Sequence, residues 1–232
     1  MSLARQHAKD RQQLALQLAG HIGKLLCSAV AAKGSASMAV SGGSTPGPLF
    51  KRLSELDIPW EYVVITLVDE RWVDVEDKDS NEHLVRTHLL QNRAARATFI
   101  GMKNEAPTAI AGEQECEQRL RQVPRPLDLV ILGMGNDGHT ASLFPASQQL
   151  AAATAMDSGK ICMAITPSTL SHARMTLTLP EILAAKQIFL HIVGAEKQRV
   201  LNQALAAGPP EAMPIRCILR QEQVPVTIYY AP

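Results

Sequence analysis

The sequence predicts an α/β fold with a mostly parallel sheet covered by helices on both faces. Runs of apolar, often β-branched residues, such as 63–68 and 129–132, recur along the chain. Because these runs are apolar throughout, they are typical of strands buried on both faces. Segments with helical spacing separate most of them, and this alternation is the pattern of parallel sheets.

The first elements follow from local patterns. Residues 3–32 have apolar positions at helical spacing, and Gly34 is the expected stop. A short buried strand then leads into the turn 41–46, and the prolines that follow suit the first turn of a new helix. Residues 62–70 are predicted to form a second buried strand, and Ser80 is the expected N-cap of the next helix.

The remaining elements continue the alternation of strands and helices. We predict a helix at 108–122, strands at 127–133, 160–166 and 174–180, a short helix at 181–186, a strand at 187–194, a helix at 195–208 and a terminal strand at 224–230.

Composition limits the class of protein. The 232 residues, 46% hydrophobic, are enough for a single domain over residues 1–232. The net charge of +1 and the 4% aromatic content argue against a nucleic-acid partner. The N-terminus does not resemble a signal peptide, and no run of 18 apolar residues occurs, so we expect no membrane partner and a cytoplasmic location.

Three polar segments each follow a predicted strand: 41–46, 69–71 and 133–145. In a parallel sheet the carboxyl ends of the strands share one edge, where ligands bind. We therefore expect these segments to form one site.

The turn 41–46, with the sequence SGGSTP, has the features of an anion site. Two glycines allow the backbone to approach a ligand, two hydroxyls are nearby, and a helix N-terminus follows. The predicted binding residues are Ser41, Gly42, Gly43, Ser44 and Thr45, and phosphate is the favoured anion. The alternative is an ordinary strand-to-helix turn with a hydroxyl cap.

Charged residues elsewhere could complete such a site. Asp69 and Arg71 follow a buried strand, although a surface ion pair or a helix cap would explain them equally well. Arg174 opens a strand, and Lys197 lies near a helix start; either could neutralise a phosphate or be an ordinary solvated cation.

The segment GMGNDGHTASLFP admits two interpretations. It matches the glycine pattern of dinucleotide-binding turns, but Pro145 interrupts the required helix and no following strand ends in an acid. The favoured alternative is that the turn, which includes Gly135, presents His139 for proton transfer, with Asp137 two residues away. Neither a metal-binding motif nor a cofactor motif is recognised.

Five stretches together carry a resemblance: SGGSTP, DERWVDVEDKDSNEHL, GMGNDGHTASLFP, ARMTLTLPEI and VGAEK. In this order and at this spacing, the chain resembles the glucosamine-6-phosphate isomerase/6-phosphogluconolactonase family from about residue 30 to 230. The stretch DGHTASLFP is the most specific. One departure is Asp74, where the family usually has a proline soon after DER.

The resemblance implies a Rossmann-like sheet of the type shared with glucosamine-6-phosphate deaminase, ribose-5-phosphate isomerase and CoA transferases. It also implies metal-independent hydrolysis of 6-phospho-D-glucono-1,5-lactone in the oxidative pentose phosphate pathway. The catalytic histidine would be His139, and substrate would bind the 41–45 turn, Asp69, Arg71, Arg174 and Lys197. The protein would be a monomer or small homo-oligomer.

Two alternatives differ in chemistry. The related deaminases continue from Asp-Gly-His to Phe-Asn-Glu, whereas this chain continues TASLFPAS without an acid, which favours lactone hydrolysis. A non-catalytic sugar-phosphate sensor would not need the general base. On the hydrolase hypothesis His139 activates water, backbone N–H groups of the glycine turns with Arg71 stabilise the oxyanion, and either Asp137 or Asp69 holds the imidazole.

Overall fold

A computed structural model describes residues 3–167 and 171–232, which form two sheets and the helices around them. The larger sheet is parallel throughout. Its strands, in spatial order, are β1 (Ala4–His7), β10 (Val226–Ala231), β9 (Ile188–Val193), β6 (Leu129–Leu132), β2 (Ala36–Val40), β3 (Val63–Leu67) and β5 (Thr98–Ile100).

The smaller sheet is antiparallel and consists of β4 (Asp69–Arg71), β8 (Arg174–Leu177) and β7 (Cys162–Ile165). The α-helices are α1 (Arg11–Lys33), α2 (Gly47–Glu55), α3 (Asn81–His88), α4 (Ala109–Leu120), α5 (Leu150–Thr154), α6 (Leu179–Leu183), α7 (Ala195–Leu205) and α8 (Ile215–Leu219). The mostly parallel α/β fold is therefore confirmed. The predicted strand at 62–70 is divided in two: β3 ends at Leu67, and the segment DER forms a strand of the second sheet.

The sequence pattern predicted the centre and end of helix α1 correctly but not its start. Asp10 caps the helix by accepting a hydrogen bond from the Gln13 N–H at 2.8 Å, and Gly34 ends it with φ of 79°. The predicted start at residue 3 is wrong, because residues 4–7 form the exposed edge strand β1. Backbone pairing with β10 places these residues in the sheet, and their side chains carry no alternating pattern to reveal it.

The core lies between the parallel sheet and its helices. Helix α1 contributes an apolar stripe with i, i+4 spacing through Leu14, Leu18, Ile22 and Leu26, all fully buried. By length and hydropathy alone this helix would suffice to cross a membrane, but its apolar stripe packs in the core. The buried apolar side chains of the described residues form one cluster; a single domain over residues 1–232 stays a prediction.

The order in which successive strands are added to the sheet changes direction between β2 and β6. From β2 it continues to β3 and β5 on one side, and from β6 to β9 and β10 on the other. In open parallel sheets a crevice forms at such a switch point, outside the carboxyl ends of the strands. The turns that follow β2, β6 and β9 therefore meet at one place.

Candidate active site

A cavity of about 220 Å³ lies at this switch point. All the site residues predicted from the sequence line it except Asp137 and Arg174. Those that line it are Ser41, Gly42, Gly43, Ser44, Thr45, Asp69, Arg71, Gly135, His139 and Lys197.

His139 and Asp137 form a hydrogen-bonded pair at the edge of the cavity. His139 Nδ1 lies 2.5 Å from Asp137 Oδ1, and the same carboxylate oxygen accepts the His139 backbone N–H at 3.1 Å. Burial alone would raise the pKa of Asp137, but the bond and charge of His139 lower it below its ordinary value. An ionised carboxylate at Nδ1 places the imidazole proton there, so that Nε2 carries the lone pair.

Gly135 makes room for this imidazole. A Cβ atom at residue 135 would lie 2.1 Å from His139 Nδ1, which is closer than any side chain permits. The Gly135 N–H donates to the His139 carbonyl at 2.9 Å and closes the turn. Because its N–H is already used, Gly135 shapes the site and is not itself a donor to substrate. The His139 ring also packs on Phe144, with 4.5 Å between ring centroids.

The turn 41–45 is held from both sides. Ser41 Oγ donates to the Ile131 carbonyl at 2.9 Å and accepts the Gly133 N–H at 3.1 Å, so it ties the turn after β2 to the turn after β6. Arg11, in the first turn of α1, donates to the carbonyls of Ser44 and Thr45. The N–H groups of Gly42 and Gly43 have no hydrogen-bond acceptor in the described part of the chain, so they are free to bind a ligand.

Asp69 is not the partner of the imidazole. Its Oδ2 accepts from Ser142 Oγ at 2.7 Å, and its backbone carbonyl accepts from Asn81 Nδ2 at 2.8 Å. Among residues 3–167 and 171–232, the hydrogen-bonding carboxylate at His139 is that of Asp137. The alternative left open by the sequence is thereby decided by geometry in favour of Asp137.

Glu70, the middle residue of DER, points away from the cavity and caps α3. Its carboxylate accepts the backbone N–H groups of Arg71, Asn81 and Glu82, each at 2.7 Å. Burial raises the pKa of Glu70 to about 7 even though these bonds favour the ionised form. The carboxylate therefore anchors the start of α3, and with it Asn81, against the floor of the site.

The three predicted cations occupy different positions. Arg71 lines the cavity, with Nη1 donating to the Asp79 carbonyl at 2.5 Å. Arg174 is paired with Arg71 across β4 and β8 but does not line the cavity, and its Nη1 donates to the His172 carbonyl at 2.9 Å. Burial and the charge of Arg71 lower the pKa of Arg174. Arg174 therefore lies beside Arg71, and its role in substrate binding stays a prediction.

Lys197 reaches the cavity from the first turn of α7, where its Nζ donates to Asn136 Oδ1. Burial lowers the pKa of Lys197, an effect that the charges of Glu196 and Asp137 oppose. The cavity thus has a cation on each side, from β4 and from α7.

Sequence reasoning missed three polar residues that line the cavity: Asn81, Thr140 and His191. Asn81 and Thr140 gave no separate signal, because they stand beside a helix cap and within the already noted histidine turn. His191 did give one: it is a single histidine in the apolar strand IFLHIV. Within the described residues, no group of three or more His, Cys, Asp or Glu side chains could hold a metal ion.

Comparison with known proteins identifies the family of the chain. The family model of glucosamine-6-phosphate isomerases/6-phosphogluconolactonase matches residues 9–227. The chain belongs to this family. Among its members, a 6-phosphogluconolactonase from Mesorhizobium japonicum is 42% identical over 223 residues, covering 96% of this chain and 93% of the relative.

Solved structures of other proteins share this architecture. A crystal structure of a 6-phosphogluconolactonase from Shewanella baltica has a TM-score of 0.97 and 46% identity, covering 100% of this chain and 98% of that one. A monomeric glucosamine-6-phosphate deaminase has a TM-score of 0.80 at 17% identity, covering 99% and 97%. The second likeness shows the fold alone and confirms the predicted relation to the deaminase fold. Relation to ribose-5-phosphate isomerase and CoA transferases stays a prediction.

Proposed function

We propose that the chain hydrolyses 6-phospho-D-glucono-1,5-lactone to 6-phospho-D-gluconate, in the oxidative pentose phosphate pathway. The observation that carries the proposal is the His139–Asp137 pair at the edge of a cavity with a cation on each side. The names of the family members described above support the choice of substrate. The reaction needs neither a metal nor a cofactor in this proposal.

His139 acts as the general base. Asp137 holds the proton at Nδ1, so the lone pair of Nε2 removes a proton from the water that attacks the lactone carbonyl carbon. General-base assistance of this kind supplies roughly 10²–10⁴-fold. The protonated imidazole then donates to the ring oxygen as the bond from it to the carbonyl carbon breaks. One proton of the water thus passes through His139 to the leaving alkoxide. The other remains on the new carboxylic acid until that acid ionises.

Positive groups around the cavity stabilise the negative charges of the substrate and transition state. The developing oxyanion requires donors that are in place before reaction, and one such donor is typically worth about 2.7–4 kcal/mol. Arg71 is the candidate for this donor, because it lines the cavity. The phosphate at the far end of the substrate supplies binding energy that orients the carbonyl toward His139.

The decisive experiment measures lactone hydrolysis directly. The purified chain is mixed with freshly generated 6-phosphogluconolactone, with and without a chelator, and product is followed through 6-phosphogluconate dehydrogenase. We expect a rate well above spontaneous hydrolysis and insensitive to chelator. If the folded protein binds 6-phosphogluconate but does not hydrolyse the lactone faster than the spontaneous rate, the proposal is contradicted and a sensor is favoured.

The remaining features of the proposal concern location and assembly. We propose a cytoplasmic protein of one domain that is a monomer or small homo-oligomer and binds neither nucleic acid nor membrane. Light scattering with and without duplex DNA or anionic vesicles tests the assembly and binding statements together. A large change in mass on adding either partner would contradict them.

A further inference from the structure

His191 is a buried polar residue in the cavity that the mechanism above does not use. It is 4% exposed, lies near the carboxyl end of β9, and lines the cavity. Its Nε2 atom is buried and has no hydrogen-bond partner within the described part of the chain. Leaving a buried nitrogen unpaired costs stability, so its retention in a well-packed strand points to a ligand.

The surroundings of His191 indicate which end of the substrate it meets. Phe189, two residues earlier on the same face of β9, packs on His21 of α1 with 5.6 Å between ring centroids. His191 therefore faces the N-terminal part of α1, where Arg11 also binds the carbonyls of Ser44 and Thr45. This arrangement places His191 on the side of the cavity that contains the 41–45 turn.

Electrostatics make this region suitable for an anion. Burial, together with the charge of Arg11, lowers the pKa of His191 to about 4, so the imidazole is neutral at working pH. A neutral imidazole still has one N–H to donate. The positive charge of Arg11 and the free N–H groups of the turn favour a negatively charged acceptor for that donor.

We propose that His191 binds the phosphate group of the substrate, donating an imidazole hydrogen bond beside the 41–45 turn. The inference rests on the proposed function for the identity of the substrate. This contact orients the substrate so that its phosphate lies between His191 and the 41–45 turn and its lactone carbonyl faces His139. His191 is thereby a binding residue and takes no part in proton transfer.

The test compares His191→Leu with His191→Gln, which keeps an N–H donor. Binding of 6-phosphogluconate and of inorganic phosphate is measured by calorimetry, so that turnover is not required. We expect His191→Leu to weaken 6-phosphogluconate binding about tenfold or more, since the lost bond is to a charged acceptor. His191→Gln should recover part of the affinity. The matched control is His21→Gln, on the same side of the sheet but outside the cavity.

Two further readouts separate phosphate binding from a structural role. Thermal unfolding of unliganded His191→Leu should be unchanged or occur at higher temperature, because an unpaired buried nitrogen has been removed. The kcat/KM for the phosphorylated lactone should fall with the affinity, whereas that for unphosphorylated glucono-1,5-lactone should not.

Unchanged 6-phosphogluconate affinity in folded His191→Leu, or equal losses on both lactones, would overturn the inference. If the wild-type chain hydrolyses no lactone, the proposed function fails, and the phosphate-binding comparison still decides the role of His191.

Discussion

His139 Nδ1 and Asp137 Oδ1 lie 2.5 Å apart within one tight turn after β6. Because the carboxylate is two residues from the imidazole that it orients, the pair depends on the local turn and not on a distant element. The turn itself is held in place by the parallel sheet, at the switch point between β2 and β6.

Replacing the general base should abolish most turnover without unfolding the protein. For His139→Ala we expect kcat to fall roughly 10²–10⁴-fold, because general-base assistance is lost. The coupled lactone assay measures the rate, and circular dichroism checks the fold. His88→Ala, at an exposed histidine of α3, is the control and should keep full activity. Normal turnover by folded His139→Ala would refute the assignment of the base.

Removing the carboxylate that orients the imidazole should have a smaller effect. Asp137→Asn no longer provides the charge that holds the proton at Nδ1, and a charge-assisted hydrogen bond is worth about 1.5–3 kcal/mol. We therefore expect kcat to fall about 10- to 100-fold with little change in KM. Asp157→Asn, at an exposed aspartate whose side chain has no hydrogen-bond partner in the described part of the chain, is the control. A loss seen only in KM would mean that Asp137 binds substrate instead.

Filling the space beside the imidazole should misplace it. In Gly135→Ala the new methyl group would lie 2.1 Å from His139 Nδ1, so the ring must shift. A displacement of about 1 Å at a reacting group costs on the order of 10²-fold in rate. The control is Gly20→Ala, since a Cβ there meets nothing within 4 Å. Unaltered kcat in Gly135→Ala would show that the ring tolerates another position.

The two neighbouring arginines should differ in their effect on catalysis. Arg71 lines the cavity and is the candidate donor to the oxyanion, so Arg71→Gln should lower kcat/KM roughly 10²–10³-fold, mainly through kcat. Arg174 does not line the cavity, so Arg174→Gln should lower kcat/KM less. Steady-state kinetics on the phosphorylated lactone compare the two variants, each serving as the control for the other. A larger effect in Arg174→Gln would place that side chain in contact with substrate.

A buried carboxylate far from the cavity should make stability depend on pH. Asp128 is 1% exposed and accepts from the Nζ atoms of Lys33 and Lys186, both at 2.9 Å. Burial alone would raise the pKa of Asp128, but these bonds and the Ser37 N–H lower it. A lowered pKa in the folded state adds stability above the ordinary carboxyl pKa of about 4 and loses it as the pH falls further.

Asp128→Asn should therefore unfold more easily than the wild type at pH 7. We expect a loss of about 1.5–3 kcal/mol in the free energy of unfolding, as for hydrogen bonds to a charged group, because both lysines are partly exposed. Denaturant unfolding at pH 7 and at pH 3 measures the difference, which should shrink at the lower pH. Asp57→Asn, whose carboxylate is exposed, is the control. A difference that stays constant with pH would rule out the charge as its source.

Patterns local in the sequence predicted much of this molecule. Apolar runs identified the strands of the parallel sheet, and the caps at Ser80 and Gly34 act as predicted because each depends on residues one to four positions away. The convergence at one edge of the three segments that follow β2, β3 and β6 followed from the parallel arrangement alone. Asp69, Arg71 and His139 accordingly line one cavity.

The failures arise where position depends on distant partners. Strand β1 forms through backbone pairing with residues more than 200 positions away, which no local pattern records. The second sheet pairs Arg71 with Arg174, which is more than 100 positions away, so no local pattern predicted that DER forms a strand of its own. The sequence did not identify His191 as a site residue, because a histidine in an apolar strand is a candidate for ligand binding only when a cavity lies beside it.

By itself, the sequence determined the α/β class, the glycine turns and the candidacy of His139, because periodicity and turn chemistry are local properties. Tertiary structure alone decided that Asp69 bonds to Ser142 instead of the imidazole, that Ser41 ties two turns together, and that Glu70 faces a helix instead of the cavity. These outcomes depend on distances between strands, and a side chain joins a site only when the packing of the whole sheet directs it there.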